Sequence, residues 1–328
     1  MLIKWLGLNL GTEAGMWIGA FMGLIISFFL MWKPLPFLPH DGGKRVETPD
    51  GKIVVINENS NGKVTGIGVL FVPVFLLMAF LFLPVNLELA IYIGLMFLMM
   101  LTGFLDDAAT TPWGELVKGL LDLLISLGAV ITFLAYHSPD VTFFGNTFRI
   151  PVVIYGALGV ILMWSSINVT NCADGVDGLC GSVSIVEFAA FYLIFRTVMP
   201  VYAGLGILLS GCLLAYLCFN WNPSKVLMGD AGSRTIGFLI ALLSMQSGHP
   251  FLFLILSLVF LLDGGLGLLK MTIIRVFKVN PMKNLLTPIH DHLRKRKGVP
   301  IKAIPLIYAG LQIILSVIAW LIIWLQEK

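Results

Sequence analysis

The sequence predicts an all-α polytopic membrane protein, and three observations carry that prediction. Hydrophobic residues are 58% of the 328 and charged residues 12%; a globular protein carries about 25% charged residues, so this chain could not clothe a soluble surface. Apolar stretches approaching the ~20 residues that a bilayer span needs recur along the chain. Basic residues gather in alternate loops between those stretches. Disorder, a coiled coil and a secreted disulfide scaffold are excluded together. A net charge of +3 is too mild to imply nucleic acid. Cys172, Cys180, Cys212 and Cys218 form no Cys-x-x-Cys pair and read as small apolar residues. There is no internal repeat, and residues 1–328 read as one integral membrane domain.

Ten segments read as spans: Met16 to Trp32, Gly66 to Leu83, Leu89 to Leu105, Gly119 to Tyr136, Pro151 to Ile167, Ser182 to Val198, Val201 to Phe219, Thr235 to Met245, Phe251 to Val276 and Ile304 to Leu325. The first follows a polar stretch, Asn9 to Glu13, and no small-residue cleavage site comes after it, so it reads as an uncleaved helix. The eighth is short. The ninth is too long for one straight span at ~1.5 Å per residue, and Asp263-Gly264-Gly265-Leu266-Gly267 predicts a kink or break there. Ten spans put both termini on one side. One set of loops holds Lys33, Lys44, Arg45, Lys52, Lys63, Lys118, Lys225, Arg234, Arg275, Lys278, Lys283, the Arg294 to Lys297 run and Lys302, whereas the other holds only Lys4, Arg149, Arg196 and Lys328. The first set is therefore cytoplasmic and both termini are periplasmic.

Three loops stand out. Residues 33–65 form a long first cytoplasmic loop, in which Pro49-Asp50-Gly51 signals a turn and Lys52 to Asn57 the second strand of a small ribbon. Residues 141–150 read as a periplasmic β-hairpin turning at Gly145-Asn146. Residues 277–303 form a cytoplasmic loop rich in histidine and basic residues.

On this topology the polar clusters are one-sided. Asp106-Asp107, then Asn168, Asn171, Asp174 and Asp177, then Asn220, Asn222 and Asp230, then His290, Asp291 and His292 all fall on the cytoplasmic side. Loop ends that merely collect polar residues would do so on both faces. A carboxylate-rich cluster at one membrane surface reads as an active site. Grouped aspartates suit Mg²⁺, a hard cation that takes oxygen ligands and usually keeps phosphate oxygens. Asp174-Gly175-Val176-Asp177-Gly178 sets two carboxylates on a glycine-supplied turn. In Met228-Gly229-Asp230-Ala231-Gly232-Ser233, Asp230 precedes a helix start, with Ser233 expected as its N-cap and the free amides favouring a phosphate. Lys118 opens the fourth span and could neutralise a phosphate. Neither a P-loop nor a His-Glu-x-x-His zinc helix occurs. Glu187 and Asp263 are costly inside a membrane and suggest function or buried pairing; an ion-coupled transporter would use them so, but would also show inverted repeats.

Together these segments resemble the polyprenyl-phosphate N-acetylhexosamine-1-phosphate transferases, most closely the branch that moves phospho-N-acetylmuramoyl-pentapeptide. The residues that carry the resemblance are Gly103 to Asp107, Asn168 to Leu179, Asn220 to Ser233 and Thr287 to His292, and it extends from about Lys63 onward. The resemblance implies transfer of a phospho-sugar from a UDP-sugar to undecaprenyl phosphate, with UMP leaving, in a bacterial cytoplasmic (inner) membrane. It implies that Asp106 or Asp107, Asp106 first, assists deprotonation of the lipid phosphate, that Asp230 ligates Mg²⁺ and that Lys118 meets phosphate. Asn168, Asn171, Asp174, Gly175, Asp177 and Asn220 would hold the nucleotide and sugar, and His290 and His292 the sugar phosphate or uridine. A homodimer is a further expectation. Three departures mark this chain: Asp291 replaces the middle histidine of a run of three, Leu227 stands where an aromatic uracil platform is usual, and only Lys63 and Thr65 correspond in the first cytoplasmic loop. Met228 to Phe238 reads equally like the transferases that use UDP-GlcNAc.

Overall fold

The computed structural model describes residues 11–33, 36–41, 45–47, 53–55, 62–111, 113–143 and 145–326. Apolar runs of helical length become helices α1 (Thr12–Trp32), α2 (Gly68–Phe82), α3 (Leu87–Asp107), α4 (Glu115–Tyr136), α5 (Val152–Ala173), α6 (Leu179–Phe195), α7 (Pro200–Asn220) and α8 (Gly229–Gln246). A bent pair follows, α9 (Pro250–Leu256) and α10 (Leu258–Phe277), then the short α11 (Ile289–Lys295) and the long α12 (Ala303–Gln326). All ten expected segments are helical. Six of them (α1, α3, α4, α5, α7 and α12) are long and apolar enough to cross a membrane, and the bent pair makes a seventh. The 15 residues of α2 rise only about 22 Å, less than the ~30 Å hydrocarbon core.

Burial separates an inner layer from an outer one. In α8 every residue from Ala231 to Met245 is buried, and α8 packs against α5, α3 and α2. Large apolar side chains instead face outward on the peripheral helices: Leu116 is 89% exposed, Val153 83% and Phe21 64%. Such a surface is an aggregation liability in water and an ordinary one in lipid. Small residues let the inner helices touch. A Cβ added at Gly103 would lie 2.5 Å from the carbonyl carbon of Asp230, so α3 runs directly against the start of α8. Deeper in, Ser166 Oγ donates to the Gly237 carbonyl at 2.7 Å, tying α5 to α8.

Four expectations need correction. The sharp bend of 62° falls at the Leu256/Leu258 break, ahead of the glycine run. There Gln312 donates to the Leu256 carbonyl at 2.5 Å, so a neighbouring side chain takes up a backbone group at the bend, and Ser257 Oγ donates to Glu187 Oε1 at 2.5 Å. The glycine run makes a π-turn, Leu261–Gly265, instead. Ser233 is no N-cap: α8 starts at Gly229, and Ser233 Oγ bonds back to the Gly229 carbonyl at 2.9 Å. In the hairpin, β3 (Asp140–Phe143) pairs with β4 (Asn146–Arg149) so that Phe143 faces Asn146. Asn146 is thus a strand residue, and Gly145, at φ 74°, carries the turn. Lys118 lies inside the first turn of α4, which begins at Glu115.

The ribbon expected in residues 33–65 is present as β1 (Arg45–Glu47) antiparallel to β2 (Ile53–Val55). Its Pro49-Asp50-Gly51 turn lies outside the described residues. The two ends of that loop meet: Asp41 N donates to the Lys63 carbonyl at 2.8 Å, and Thr65 N to that of Pro39 at 2.9 Å.

Candidate active site

The ends of α3 and α5 and the starts of α4 and α8 surround a cleft of about 800 Å³. Its lining includes His40, Asp41, Thr65, Asp106, Asp107, Lys118, Asn171, Asp174, Leu227, Gly229 and Asp230. Eight of the residues singled out in the sequence (Thr65, Asp106, Asp107, Lys118, Asn171, Asp174, Leu227 and Asp230) therefore converge, although they come from five separate stretches of chain; Lys63, Asn168, Gly175, Asp177, Asn220, His290, Asp291 and His292 are not in the lining.

At the centre Lys118 Nζ pairs with Asp106 Oδ2 at 2.5 Å and with Asp230 Oδ2 at 3.7 Å. The other Asp106 oxygen accepts the Trp113 amide at 2.8 Å, which pins the α3–α4 connection. Asp107 faces the amides of Asp230 and Ala231 at the start of α8, where a helix N-terminus favours an anion. Gly229 makes that approach possible. Its φ is +66°, and a Cβ there would collide with Asp107 Oδ2 and lie 2.8 Å from the Gly66 amide nitrogen. One turn beyond Lys118 and Asp230, the buried Asp122 and Arg234 form a second ion pair with the signs exchanged between the helices.

Asp174 caps α5 and Asp177 follows on the same turn. Their environments diverge. Burial pushes the Asp174 carboxyl well above its ordinary range, and Asp107, Asp230 and Asp177 push the same way. A carboxylate so placed gains from a proton or a cation. Burial also acts to raise Asp177, but hydrogen bonds from Ser224 and Asn222, with Lys63 nearby, hold it below the carboxylate range. Asp177 accepts from Ser224 Oγ at 2.7 Å, Asn222 Nδ2 at 2.9 Å and Ser224 N at 3.1 Å, with Lys63 Nζ at 3.4 Å. It is a staple between the turn and the loop after α7.

Asn220 does similar work. Its Oδ1 accepts the Gly178 amide and its Nδ2 donates to the Val226 carbonyl, both at 2.8 Å. Both ends of the amide are used, and Asn220 is not in the cleft lining. Asn168 also stays out, donating to the Trp164 carbonyl at 2.8 Å. Asn171 stays in, accepting from Ser233 Oγ at 3.3 Å. Leu227 is held by backbone bonds to Val64 at 2.8 Å and Ile67 at 3.1 Å, which fold the first loop onto the stretch before Asp230.

The histidine segment is not part of the cleft lining and packs behind the Asp174-Gly175 turn. His290 is buried under the Asp174-Gly175 turn; a Cβ at Gly175 would lie 2.5 Å from its Nε2. Asp291 binds Arg294 and Lys295 of its own helix, each at 2.7 Å. Burial opposes its ionisation, but Lys295, His290 and Arg294 bring its carboxyl below the usual range. His292 Nδ1 accepts the Leu286 amide at 3.3 Å, bracing the loop. His40 and Asp41 are cleft residues that the sequence did not flag. Their place depends on pairing across the first loop, and no local pattern announces it.

The donor set fits Mg²⁺. Asp107 Oδ2 and Asp230 Oδ2 are buried without a hydrogen-bond partner, and both residues line the cleft. Among the described residues no group of three or more His, Cys, Asp and Glu converges as a metal cage. Mg²⁺ does not need one: it is commonly held by one or two carboxylates plus substrate phosphates and water.

Comparison with known proteins agrees with this geometry. Residues 89–248 match the model of "Glycosyl transferase family 4". The phospho-N-acetylmuramoyl-pentapeptide-transferase of Treponema pallidum (strain Nichols) is 36% identical over 300 residues, 84% of this chain and 81% of the relative. The protein of the same name from Listeria monocytogenes is 30% identical over 257 residues, covering 72% and 77%. With its carboxylate cleft at the helix ends and relatives matched over most of its length, the chain belongs to the phospho-N-acetylmuramoyl-pentapeptide transferases of glycosyl transferase family 4.

Proposed function

We propose that this cleft transfers phospho-N-acetylmuramoyl-pentapeptide from UDP-MurNAc-pentapeptide to undecaprenyl phosphate, at the cytoplasmic face of a bacterial inner membrane. An oxygen of the lipid phosphate attacks the sugar-linked phosphorus of the donor. The phosphorus–oxygen bond to UMP breaks, UMP leaves, and the lipid carries a diphosphate-linked sugar (lipid I). The observation that supports this most is the pair of buried carboxylate oxygens without a hydrogen bond, on Asp107 and Asp230, with Lys118 Nζ 3.7 Å from the latter, at the end of apolar helices. A lipid acceptor reaches such a site from the bilayer and a nucleotide sugar from water.

Asp230 and Asp107 would hold Mg²⁺, which when bound supplies positive charge to the diphosphate. Lys118, now shared between Asp106 and Asp230, is placed to meet phosphate as it arrives. Asp106 then loses its cationic partner and becomes the nearest base for a proton on the lipid phosphate. Asn171 and Asp174 line the same cleft and would face the donor. An already anionic phosphate needs alignment more than activation, which favours direct attack over an aspartyl-phosphate.

The test is UMP release by purified protein given UDP-MurNAc-pentapeptide, undecaprenyl phosphate and Mg²⁺. Release is expected only with all three present, and release without the polyprenyl phosphate would point to the covalent route. Orientation is tested separately in a cysteine-less background. A cysteine at Lys297 is expected to label from the cytoplasm and one at Asn146 from outside; the opposite pattern would overturn the orientation drawn from the basic residues.

A further inference from the structure

Asp263 is a buried carboxylate that the transfer reaction as described does not use. It sits in the π-turn Leu261–Gly265 and is 1% exposed. Three donors converge on it. Its Oδ1 accepts the His290 backbone amide at 2.7 Å and the Tyr308 hydroxyl at 2.7 Å, and its Oδ2 meets His290 Nδ1 at 2.6 Å. One carboxylate thus grips both the backbone and the ring of the same residue, which fixes where the imidazole starts and how it is turned. A bond made only to join helices would not need both. The grip also ties α10 to α11 and α12.

With Nδ1 engaged by a carboxylate, Nδ1 carries a proton and Nε2 is the nitrogen left to act. Nε2 is directed at the Asp174-Gly175 turn, where only glycine leaves room for it. Asp174 is a wall of the cleft. We infer that Asp263 and Tyr308 are positioning residues that hold His290 with Nε2 presented to the Asp174-Gly175 side of the cleft, where the donor's sugar phosphate would lie. This rests on the proposed reaction for its kinetic consequence, but not for the ring orientation itself.

Asn at 263 preserves size but offers an amide in place of one oxygen. It can turn its N–H toward Nδ1 and favour the other tautomer, with the proton on Nε2. In full-length purified protein, Asp263→Asn is expected to lower kcat/KM by about 10- to 100-fold, the usual effect of removing a group that orients a working imidazole. Tyr308→Phe should cost less, about 3- to 10-fold, because two of the three bonds remain. The informative comparison is with His290→Gln. Added to that variant, Asp263→Asn should cost less than about twofold, since its effect runs through the ring. An equal loss in both backgrounds would make Asp263 a purely structural group and overturn the inference.

The second arm needs no turnover. With ¹⁵N-labelled histidine, the ring signals of the five histidines include one that disappears in His290→Gln. That signal should report a protonated Nδ1 in the parent protein and move in Asp263→Asn. An unmoved signal overturns the positioning role even if the kinetics agree. If neither sugar donor were turned over, the transfer reaction would fail while this arm still decided the ring's orientation. Should Asp263→Asn not fold, Tyr308→Phe carries both arms, with a smaller loss that again vanishes in the His290→Gln background.

Discussion

Asp230→Asn is expected to leave the fold intact and lower turnover by at least about 10²- to 10³-fold, the range for removing one electrostatic group that acts on developing charge. The side chain lies in the first turn of α8, with one oxygen that is buried without a hydrogen bond and 3.7 Å from Lys118 Nζ, and Asp106 and Asp107 line the same cleft. Asparagine keeps the shape and removes repulsion among the carboxylates, so the melting temperature should hold or rise. What it loses is the anionic oxygen offered to a cation. Turnover measured across a Mg²⁺ titration, alongside a thermal melt, separates these effects. Normal Mg²⁺-dependent turnover would remove Asp230 from the site.

Gly229→Ala should be nearly as damaging, for a different reason. The position has φ +66°, and the added methyl would drive into the Asp107 carboxylate and the Gly66 amide. Holding a non-glycine residue in that conformation costs of order 1–3 kcal/mol. The collision would also push Asp107 off the start of α8, so a turnover loss of about 100-fold or more is expected, with a lower melting temperature. Gly119→Ala is the control, since a Cβ there meets nothing within 4 Å. Full activity in Gly229→Ala would show that the contact between Asp107 and the α8 start is dispensable.

Much of this molecule was legible because a bilayer leaves few choices. Apolar runs became helices, and one-sided polar clusters met at one end: Asp106-Asp107, Asn171, Asp174 and Asp230 share a cleft although up to 124 positions separate them, from Asp106 to Asp230. Residue type alone could not tell a binding group from a staple. Asp177 and Asn220 look like ligands in sequence, yet their hydrogen-bonding capacity is spent on Ser224, Asn222, Gly178 and Val226. The position of the bend at Ser257 was missed because what accompanies it is tertiary: Gln312, distant in sequence, bonds the Leu256 carbonyl, and Glu187 holds the Ser257 hydroxyl. His40 and Asp41 were missed likewise, since only the meeting of the first loop's two ends brings them to the cleft. Asp263 was correctly marked as too costly to be idle, but not its partners, because His290 and Tyr308 approach from two later elements.

The donor decides the central claim most directly. A muramoyl-pentapeptide carries a lactyl-peptide that GlcNAc lacks, and the basic run from Arg294 to Lys297 beside the histidine segment has a charge that suits peptide carboxylates in addition to diphosphate, with Arg294 and Lys295 now paired with Asp291. Against it, Leu227 lines the cleft where an aromatic platform would be expected. Measurement of kcat/KM for UDP-MurNAc-pentapeptide and for UDP-GlcNAc, with undecaprenyl phosphate and Mg²⁺ held constant, settles the matter. A ratio well above one, muramoyl-pentapeptide over GlcNAc, is predicted; a ratio at or below one would contradict the donor assignment.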